Sequence, residues 1–431
     1  MDVRACPWQM LSLGLAGANP PHAHAIVGPR VDIVPRNVGV WLMRYRRCHA
    51  VAVLPEEQPV VSLQSLTSGE PGIQYERSLR VHAAHIDTVC VLDADTCMFL
   101  FGCSAEKWQL LPPEGEARDR VMALVEMGLL LLEEDPPSSL AQADQRVRAG
   151  NWWPLSAIHH RHSRWDDIDS VGEMERRGVV TTRDLVHRHG PPPPEAPERW
   201  PNAISLPRLY GHAARNSLES RVTCRNFDTR RALPLEVVAA MLQDVLMAQG
   251  VVESEPGVRF LKKNVPSGGG LHPLEAYVIA RDVEGLRPGV YHYHSVAHEL
   301  ARVPGQPEDL DAFMLRLLAG QHWFAGAHVM VVLVCRFQRN FWKYRRHVKA
   351  YRAIVLDVGH ISQAFYTAAT MRGLGAFVTA AINEAGIEKL LQSDPMVEGA
   401  LAVCGFGWRG SRMVVEELDP CGHIWQAVPA G

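Results

Sequence analysis

The sequence predicts an α+β sandwich with a mixed or antiparallel sheet, preceded by a smaller α+β region. Three observations carry this. Apolar strand-like runs in the C-terminal half are separated by amphipathic helices, but strands and helices do not alternate as β-α-β units. A run of four prolines at 191–194 breaks the chain near its middle, because successive prolines enforce polyproline II and fit neither a helix nor a sheet interior. The 431 residues, 47% of them hydrophobic, are enough for two or three domains with cores of their own.

Taken in order, residues 1–30 are rich in Gly, Pro and Ala and read as a flexible N-terminus. A short apolar stretch at 8–16 precedes Ala23-His24-Ala25, but Asp2 stands against Arg4, so the basic start of a secretory signal is missing. Residues 31–53 read as strand-like, with Val38, Val40 and Leu42 alternating, and 89–102 (VCVLDADTCMFLFG) as a second β-like run. Residues 117–135 combine Val121, Leu124 and Val125 at helical spacing with a stop at Gly128 and a short strand at 129–132. Helix, glycine and strand in that order describe the start of a winged-helix wing. Residues 181–188 read as a short helix. The expected division is 1–30 flexible, 31–189 N-terminal region, 190–201 linker and 202–431 catalytic domain.

After the linker, 233–249 is an amphipathic helix with Leu235, Val238, Met241, Leu242 and Val245 on one face. Residues 276–283 form a strand, 289–303 a strand-turn-strand, and 327–336 (AHVMVVLVCR) the most apolar and central strand. Residues 351–371 read as a long, mostly buried helix with few charges, and 400–407 as a closing strand.

Composition narrows the function. A formal net charge of −3 gives no basic field, so nucleic acid is not an expected partner. No apolar run reaches the roughly 18–20 residues a membrane helix needs. Nine scattered cysteines without a C-x-x-C pair argue against a disulfide framework or zinc knuckle and for a reducing, cytoplasmic setting. His159, His160 and His162 with Asp166 and Asp167 are adjacent residues that point in different directions, so no metal site is expected. Tyr291-His292-Tyr293-His294 reads as a strand face, and Cys404 as a small core residue.

Four motifs bear chemistry. In RVTCRNF, Arg221, Thr223 and Arg225 alternate to one side of an extended segment, where they can grip a phosphate or lie solvated near a helix start. In PSGGGLHP, glycines 268–270 let the backbone approach a flat ligand and present N–H groups, while flanking prolines stiffen the loop. The spacing is neither that of a Walker loop nor of G-x-G-x-x-G before a helix. Lys343-Tyr344 can act as acid or base, or belong to a basic surface turn. Arg372-Gly373-Leu374-Gly375 caps the long helix and can also face a ligand.

Together the motifs resemble the nitroreductase-like flavoenzymes and, within them, the SagB-type dehydrogenases of peptide natural-product maturation. The resemblance runs from about Ser217 to Trp408 through RVTCRNF, VPSGGGLHPLEAYVI, GLRPGVYHYHSVAHEL, KYR, LDVGHISQAFYTAATMRGLGAF and ALAVCGFG. It implies a nitroreductase-like FMN-binding sandwich. Arg221, Thr223 and Arg225 would then hold the FMN phosphate and ribityl chain. Pro266, Ser267, Gly268 and Gly269 would pack on the isoalloxazine, and Gly373, Leu374 and Gly375 would lie beside it. Lys343 and Tyr344 would be the acid-base pair for dehydrogenating azolines of a precursor peptide to thiazoles or oxazoles, with O2 as the final acceptor. The resemblance also implies a homodimer with FMN at the interface, much of which 351–371 would form, and partners such as a cyclodehydratase. His272 departs from the family pattern, which has an aromatic or basic residue there in many relatives, so the resemblance implies a different substrate pocket.

The same cofactor could instead serve an NAD(P)H-dependent reductase of dehydroamino acids, nitro groups or quinones. A reading of another class is a non-catalytic scaffold that recruits a precursor. Residues 93–134 are faintly similar to small winged-helix domains that bind leader peptides, so residues 31–135 are expected either to bind a leader by β-augmentation or to cap the catalytic dimer.

Overall fold

The structure, a computed structural model, describes residues 43–61, 68, 73–191 and 218–425. The expected flexible segment 1–30, the Val38-Val40-Leu42 alternation and all but the first two residues of the 190–201 linker lie outside these.

The N-terminal region contains β1 (Arg44–Arg47), β2 (Val51–Val61), β3 (Ile73–Ala83), β4 (Cys90–Leu92), α1 (Ala94–Gly102), β5 (Gln109–Leu110), α2 (Glu116–Glu126) and β6 (Leu130–Leu132). Helices α3 (Ser139–Ala149), α4 (Pro154–Ser163), α5 (Ser170–Arg176) and α6 (Thr182–His189) follow. Two three-stranded antiparallel sheets form, in the orders β5-β1-β6 and β2-β3-β4. They share a core with Val81, Leu100, Val121, Leu124 and Leu130.

The 89–102 run is not the single strand-like run its composition suggests. Only Cys90–Leu92 is strand, and the remainder is helix. Asp93 ends the strand by accepting from Thr96 N–H (2.8 Å), an N-cap that starts α1. The β-branched Val89 and Val91 precede the cap, whereas Cys97 and Leu100 fall at i and i+3 and are buried together. The 117–135 segment behaves as its pattern predicts: α2 ends beside Gly128, whose φ of 75° turns the chain into β6. The histidine-rich 152–167 stretch is mostly the helix α4, begun by Pro154 at its first position.

The C-terminal half contains α7 (Leu235–Val245), β7 (Ala248–Glu255), β8 (Val258–Lys263), β9 (Leu274–Ala280), β10 (Gly289–His294), β11 (Glu299–Arg302), α8 (Leu310–Leu317), β12 (Val329–Arg336), α9 (Phe337–Phe341), α10 (Ala350–Met371), β13 (Leu374–Thr379), α11 (Glu384–Leu391) and β14 (Glu398–Trp408). A six-stranded sheet runs β11-β10-β9-β12-β14-β13, with every pair antiparallel. The segment at Thr223 adds to its β13 edge through a parallel bridge to Ala376.

The two faces of this sheet follow from the alternation of β12. Val329, Val331, Leu333 and Cys335 point into one core with Val238 and Met241 of α7 and Ile354 and Phe365 of α10. Met330, Val332 and Val334 point into a second core with Met314 and Leu317 of α8 and Ile387 of α11. An apolar strand covered on both faces gives the helix-sheet-helix sandwich that the sequence implied. The first core also takes in Val147 of α3, Ala157 of α4 and Trp152 between them, and Trp152 and His160 pack against Tyr351 of α10.

Two helices depart from expectation. The 233–249 helix ends at Val245, and residues from Ala248 turn into the β7–β8 hairpin. The 351–371 helix is buried along one side only. Ile354, Asp357, Ile361 and Phe365 face the core, while Arg352, Val355, Leu356, Gly359, His360 and Gln363 form an exposed stripe. The apolar members of that stripe made the segment read as mostly buried.

Candidate functional site

The glycine loop follows β8. Gly269 and Gly270 have φ values of 63° and 70°, a left-handed turn that side chains resist. A carboxylate from α10 holds the loop. Asp357 Oδ1 accepts from Gly268 N–H (3.0 Å) and Oδ2 from the Ser267 hydroxyl (2.5 Å), and Ser267 Oγ in turn accepts from His272 N–H (2.9 Å). Burial pushes the Asp357 carboxyl above the usual carboxylate range, although these hydrogen bonds oppose it. The whole arrangement sits against α10, since a Cβ at Gly268 would lie 3.2 Å from Ala353 Cβ.

Lys343 and Tyr344 lie on this loop. A Cβ at Gly269 would come within 2.7 Å of the Tyr344 hydroxyl and 3.0 Å of Lys343 Nζ. Their turn between α9 and α10 is fixed from below. Asn340, 1% exposed, donates through Nδ2 to Ala350 C=O, and its own C=O accepts from Lys343 and Tyr344 N–H. Arg346 N–H donates to Asn151 C=O (2.8 Å). Trp152 packs against Phe337 and Phe341 under the turn and donates Nε1–H to Met396 C=O.

The first and fourth motifs come together elsewhere. In the Arg221–Arg225 segment, Val222 and Cys224 are buried while Arg221, Thr223 and Arg225 face outward, the alternation read from the sequence. Cys224 N–H donates to Ala376 C=O (2.8 Å), and a Cβ at Gly375 would run into Cys224 Sγ and Cβ. The missing side chain at Gly375 is what lets this segment dock. Gly373, with φ 68°, ends α10, and Leu374 is the buried first residue of β13. Tyr366 of α10 joins the cluster: its hydroxyl is 2.9 Å from Thr223 Oγ1, and the Arg221 guanidinium stacks 5.1 Å from its ring centre. Arg225 is partly engaged, donating from Nη1 to Glu416 C=O (3.2 Å).

Pro266, Ser267, Gly268, Gly269, Lys343 and Tyr344 thus form one cluster, and Arg221, Thr223, Gly373 and Gly375 a second. Both rest on α10, at Asp357 and Tyr366, nine residues or roughly 13 Å apart along the axis. Asp357, Tyr366 and Asn340 were not found from the sequence. A lone acid in an otherwise apolar helix was the one available signal for Asp357. Lys263, 5% exposed, and His272 line a small cavity with Ser267 and Asp357. Burial lowers the Lys263 ammonium to about 8 and the His272 imidazole to about 4, the latter aided by Lys263. His272 is therefore neutral at pH 7.

The histidine-rich stretch of α4 is structural. His160 lies between the Tyr351 hydroxyl (3.0 Å) and Pro395 C=O (2.9 Å), and burial lowers it to about 3. Among the described residues, no group of three or more His, Cys, Asp or Glu is arranged to hold a metal.

Comparison with known proteins agrees with this architecture. Residues 218–408 match the model of the nitroreductase family. The chain is 30% identical over 151 residues to a protein of Methanocaldococcus jannaschii named as a nitroreductase, an alignment that covers 35% of this chain and 72% of that one. The chain belongs to the nitroreductase family. It is also 31% identical over 177 residues to the trifolitoxin-processing protein TfxB of Rhizobium leguminosarum bv. trifolii, covering 39% of this chain and 46% of the relative. It therefore spans about half the length of that relative. The microcin B17-processing protein McbC of Escherichia coli is 23% identical over 185 residues, with 42% and 65% covered. Among solved structures, the E. coli microcin synthetase McbBCD complex with truncated pro-MccB17 bound aligns with a TM-score of 0.43 and 20% identity, covering 62% of this chain and 94% of that one.

Proposed function

We propose that the chain is an FMN-dependent oxidoreductase of ribosomal peptide maturation that dehydrogenates azolines in a precursor peptide to thiazoles or oxazoles. The observation that carries this is the seating of Lys343 and Tyr344 directly on Gly269. Two side chains able to serve as acid and base thereby lie against a glycine-rich backbone loop.

The residues present fit FMN. The glycine loop can lie against a flat ring without Cβ obstruction. Arg221 and Thr223 supply a cation and a hydroxyl for the phosphate end, with Arg225 beside them. Gly373, Leu374 and Gly375 would border the flavin next to these. Bound there, FMN supplies the acceptor for a hydride. The chain's own residues do the rest. Tyr344 or Lys343 removes the proton from the neighbouring ring carbon, and the other orients the peptide or stabilises developing charge. Asp357 and Ser267 keep the loop in register, and Asn340 holds the Lys-Tyr turn.

Names of two relatives refer to trifolitoxin and microcin B17 processing, which supports a peptide substrate and partner maturation enzymes such as a cyclodehydratase. The exposed stripe with Val355, Leu356 and Gly359 would pair with a second copy to form the homodimer. The N-terminal region, 31–189, would recruit the leader of the precursor. Among the described residues, no helix is long and apolar enough to cross a membrane, and the scattered cysteines support a cytoplasmic setting.

The test is turnover of an azoline-containing peptide by FMN-loaded protein. Replacing both Lys343→Ala and Tyr344→Phe should lower turnover about 10²- to 10⁴-fold with flavin absorbance retained. Undiminished turnover removes the pair as acid and base, and a protein that stays colourless after addition of FMN removes the flavoenzyme reading.

A further inference from the structure

After β14 the chain returns to the Arg221–Arg225 segment as a strap, residues 411–425, without helix or strand. Met413, Val414 and Leu418 on the strap are exposed, so these apolar side chains do not hold it in place. Hydrogen bonds do. Asn226 Oδ1 accepts from Val414 N–H (2.7 Å) and Val415 N–H (2.8 Å), and its Nδ2 donates to Val415 C=O (2.7 Å). Glu417, whose side chain is fully buried, answers from the strap. Its Oε1 accepts from Arg225 N–H (2.6 Å), Asn226 N–H (2.9 Å) and Asn226 Nδ2 (2.8 Å). Its Oε2 accepts from Trp425 Nε1–H (2.8 Å) and pairs with Arg409, which also donates to Val222 C=O (3.1 Å).

Two successive backbone N–H groups aimed at one oxygen form an anion nest, and here the chain fills the nest with its own carboxylate. A carboxylate with no exposed surface is tolerated because every donor around it is charged or already desolvated, and because Arg409 offsets its charge. The nest also divides the segment. Cys224 N–H still follows the edge of β13 to Ala376 C=O, whereas the next two N–H groups turn to Glu417. Gly375 therefore decides where the segment docks, and Glu417 decides how it continues. The Arg225 side chain leaves the backbone at this junction and is tied to the strap a second time, from Nη1 to Glu416 C=O.

From the buried carboxylate and the junction it makes, we propose that Glu417 is a positioning residue of the phosphate site. By holding the N–H groups of Arg225 and Asn226 it keeps the Arg225 side chain on the outward face shared with Arg221 and Thr223. A phosphate gripped by that face steadies the strap in return, because coupling between two sites acts equally in both directions. Neutralised by Arg409, the carboxylate does not repel the phosphate it helps to place. This role rests on the FMN reading above.

The test is titration of the full apoprotein with FMN and with riboflavin, which has the same ring and ribityl chain but no phosphate. Glu417→Gln should weaken FMN about tenfold and riboflavin by less than about twofold. A Glu417 that only stabilises the fold would weaken both alike. Hydrogen exchange of the wild-type chain reads the same coupling without a variant: at equal saturation, FMN should slow exchange at residues 413–417 more than riboflavin does. Unchanged FMN affinity in Glu417→Gln, equal loss for both flavins, or equal protection of the strap by both overturns the proposal and leaves flavin binding intact. A wild-type chain that binds neither flavin removes the FMN reading itself, and this role of Glu417 with it.

Discussion

The two ends of α10 hold their motifs by different physics. At the Tyr366 end, the Arg221–Arg225 segment is positioned by shape: Cys224 fills the space left by the absent side chain of Gly375, and a backbone bond to Ala376 fixes the register. At the Asp357 end, the glycine loop is positioned by a single buried carboxylate that serves Ser267 and Gly268, with Lys343 and Tyr344 resting on top. A steric dock is insensitive to pH and intolerant of volume. A hydrogen-bonded tether tolerates volume on its open side and responds to pH. The proposed phosphate grip is thus the rigid end of the site, and the proposed reacting end is the adjustable one.

The most damaging change should fall at the rigid end. In Gly375→Ala the new methyl meets Cys224 Cβ at 2.7 Å and its sulfur closer still, and Cys224 is fully buried with its backbone tied to Ala376. Overpacking of this kind costs about 3 kcal/mol. Urea unfolding should show that loss, and Cys224→Gly in the same chain, which removes both the sulfur and the Cβ, should recover part of it. If the double variant is no more stable than Gly375→Ala alone, steric docking is not what fixes this segment.

This contrast also explains what the sequence could reveal. The alternation of RVTCRNF and the glycine triplet are local patterns, so both motifs could be picked out without knowing the fold, as could β12, β14 and α2 with its Gly128 stop. Asp357 and Tyr366 could not, because their partners lie 90 and 143 residues away and only the sheet brings them together. The run at 89–102 misled because its composition is apolar throughout, while its conformation is decided by one capping residue, Asp93. The exposed stripe of α10 misled in the opposite way: Val355 and Leu356 are apolar yet 52% and 58% exposed, so apolar composition there does not report burial.

A smaller effect is expected at the Asp357 end. Asp357→Ala leaves the Ser267 hydroxyl and Gly268 N–H without their acceptor, at a cost of about 2 kcal/mol. Its pH signature separates it from the first variant. The Asp357 carboxyl is raised in the folded chain, chiefly by burial, so the folded state keeps a proton that the unfolded chain releases sooner. The resulting stability is fully present below the usual Asp range of about 4 and declines as pH rises through the folded value. His360 on the same helix, 3.8 Å away, opposes the shift when protonated. Asp357→Asn should flatten that part of the stability-pH curve while keeping the acceptor for Gly268, whereas Gly375→Ala should leave the slope unchanged. A slope that survives in Asp357→Asn would assign it to another group and remove the tether as the titrating element.

The mildest change probes whether Tyr366 merely decorates the rigid end. Thr223→Val removes the hydroxyl facing Tyr366 but keeps the volume, and Tyr366 retains its bond from Val378 N–H (3.3 Å). Stability should fall by only about 1 kcal/mol, because shape and the Cys224–Ala376 bond still hold the segment. FMN affinity should respond more strongly if Thr223 faces the phosphate end, since the methyl that replaces the hydroxyl cannot donate to it. Thr223→Ser restores the hydroxyl and should restore affinity. Titration of apoprotein with FMN decides between the two roles: an unchanged dissociation constant in Thr223→Val makes Thr223 a strut for Tyr366, while a weakened one that Ser rescues makes it part of the grip.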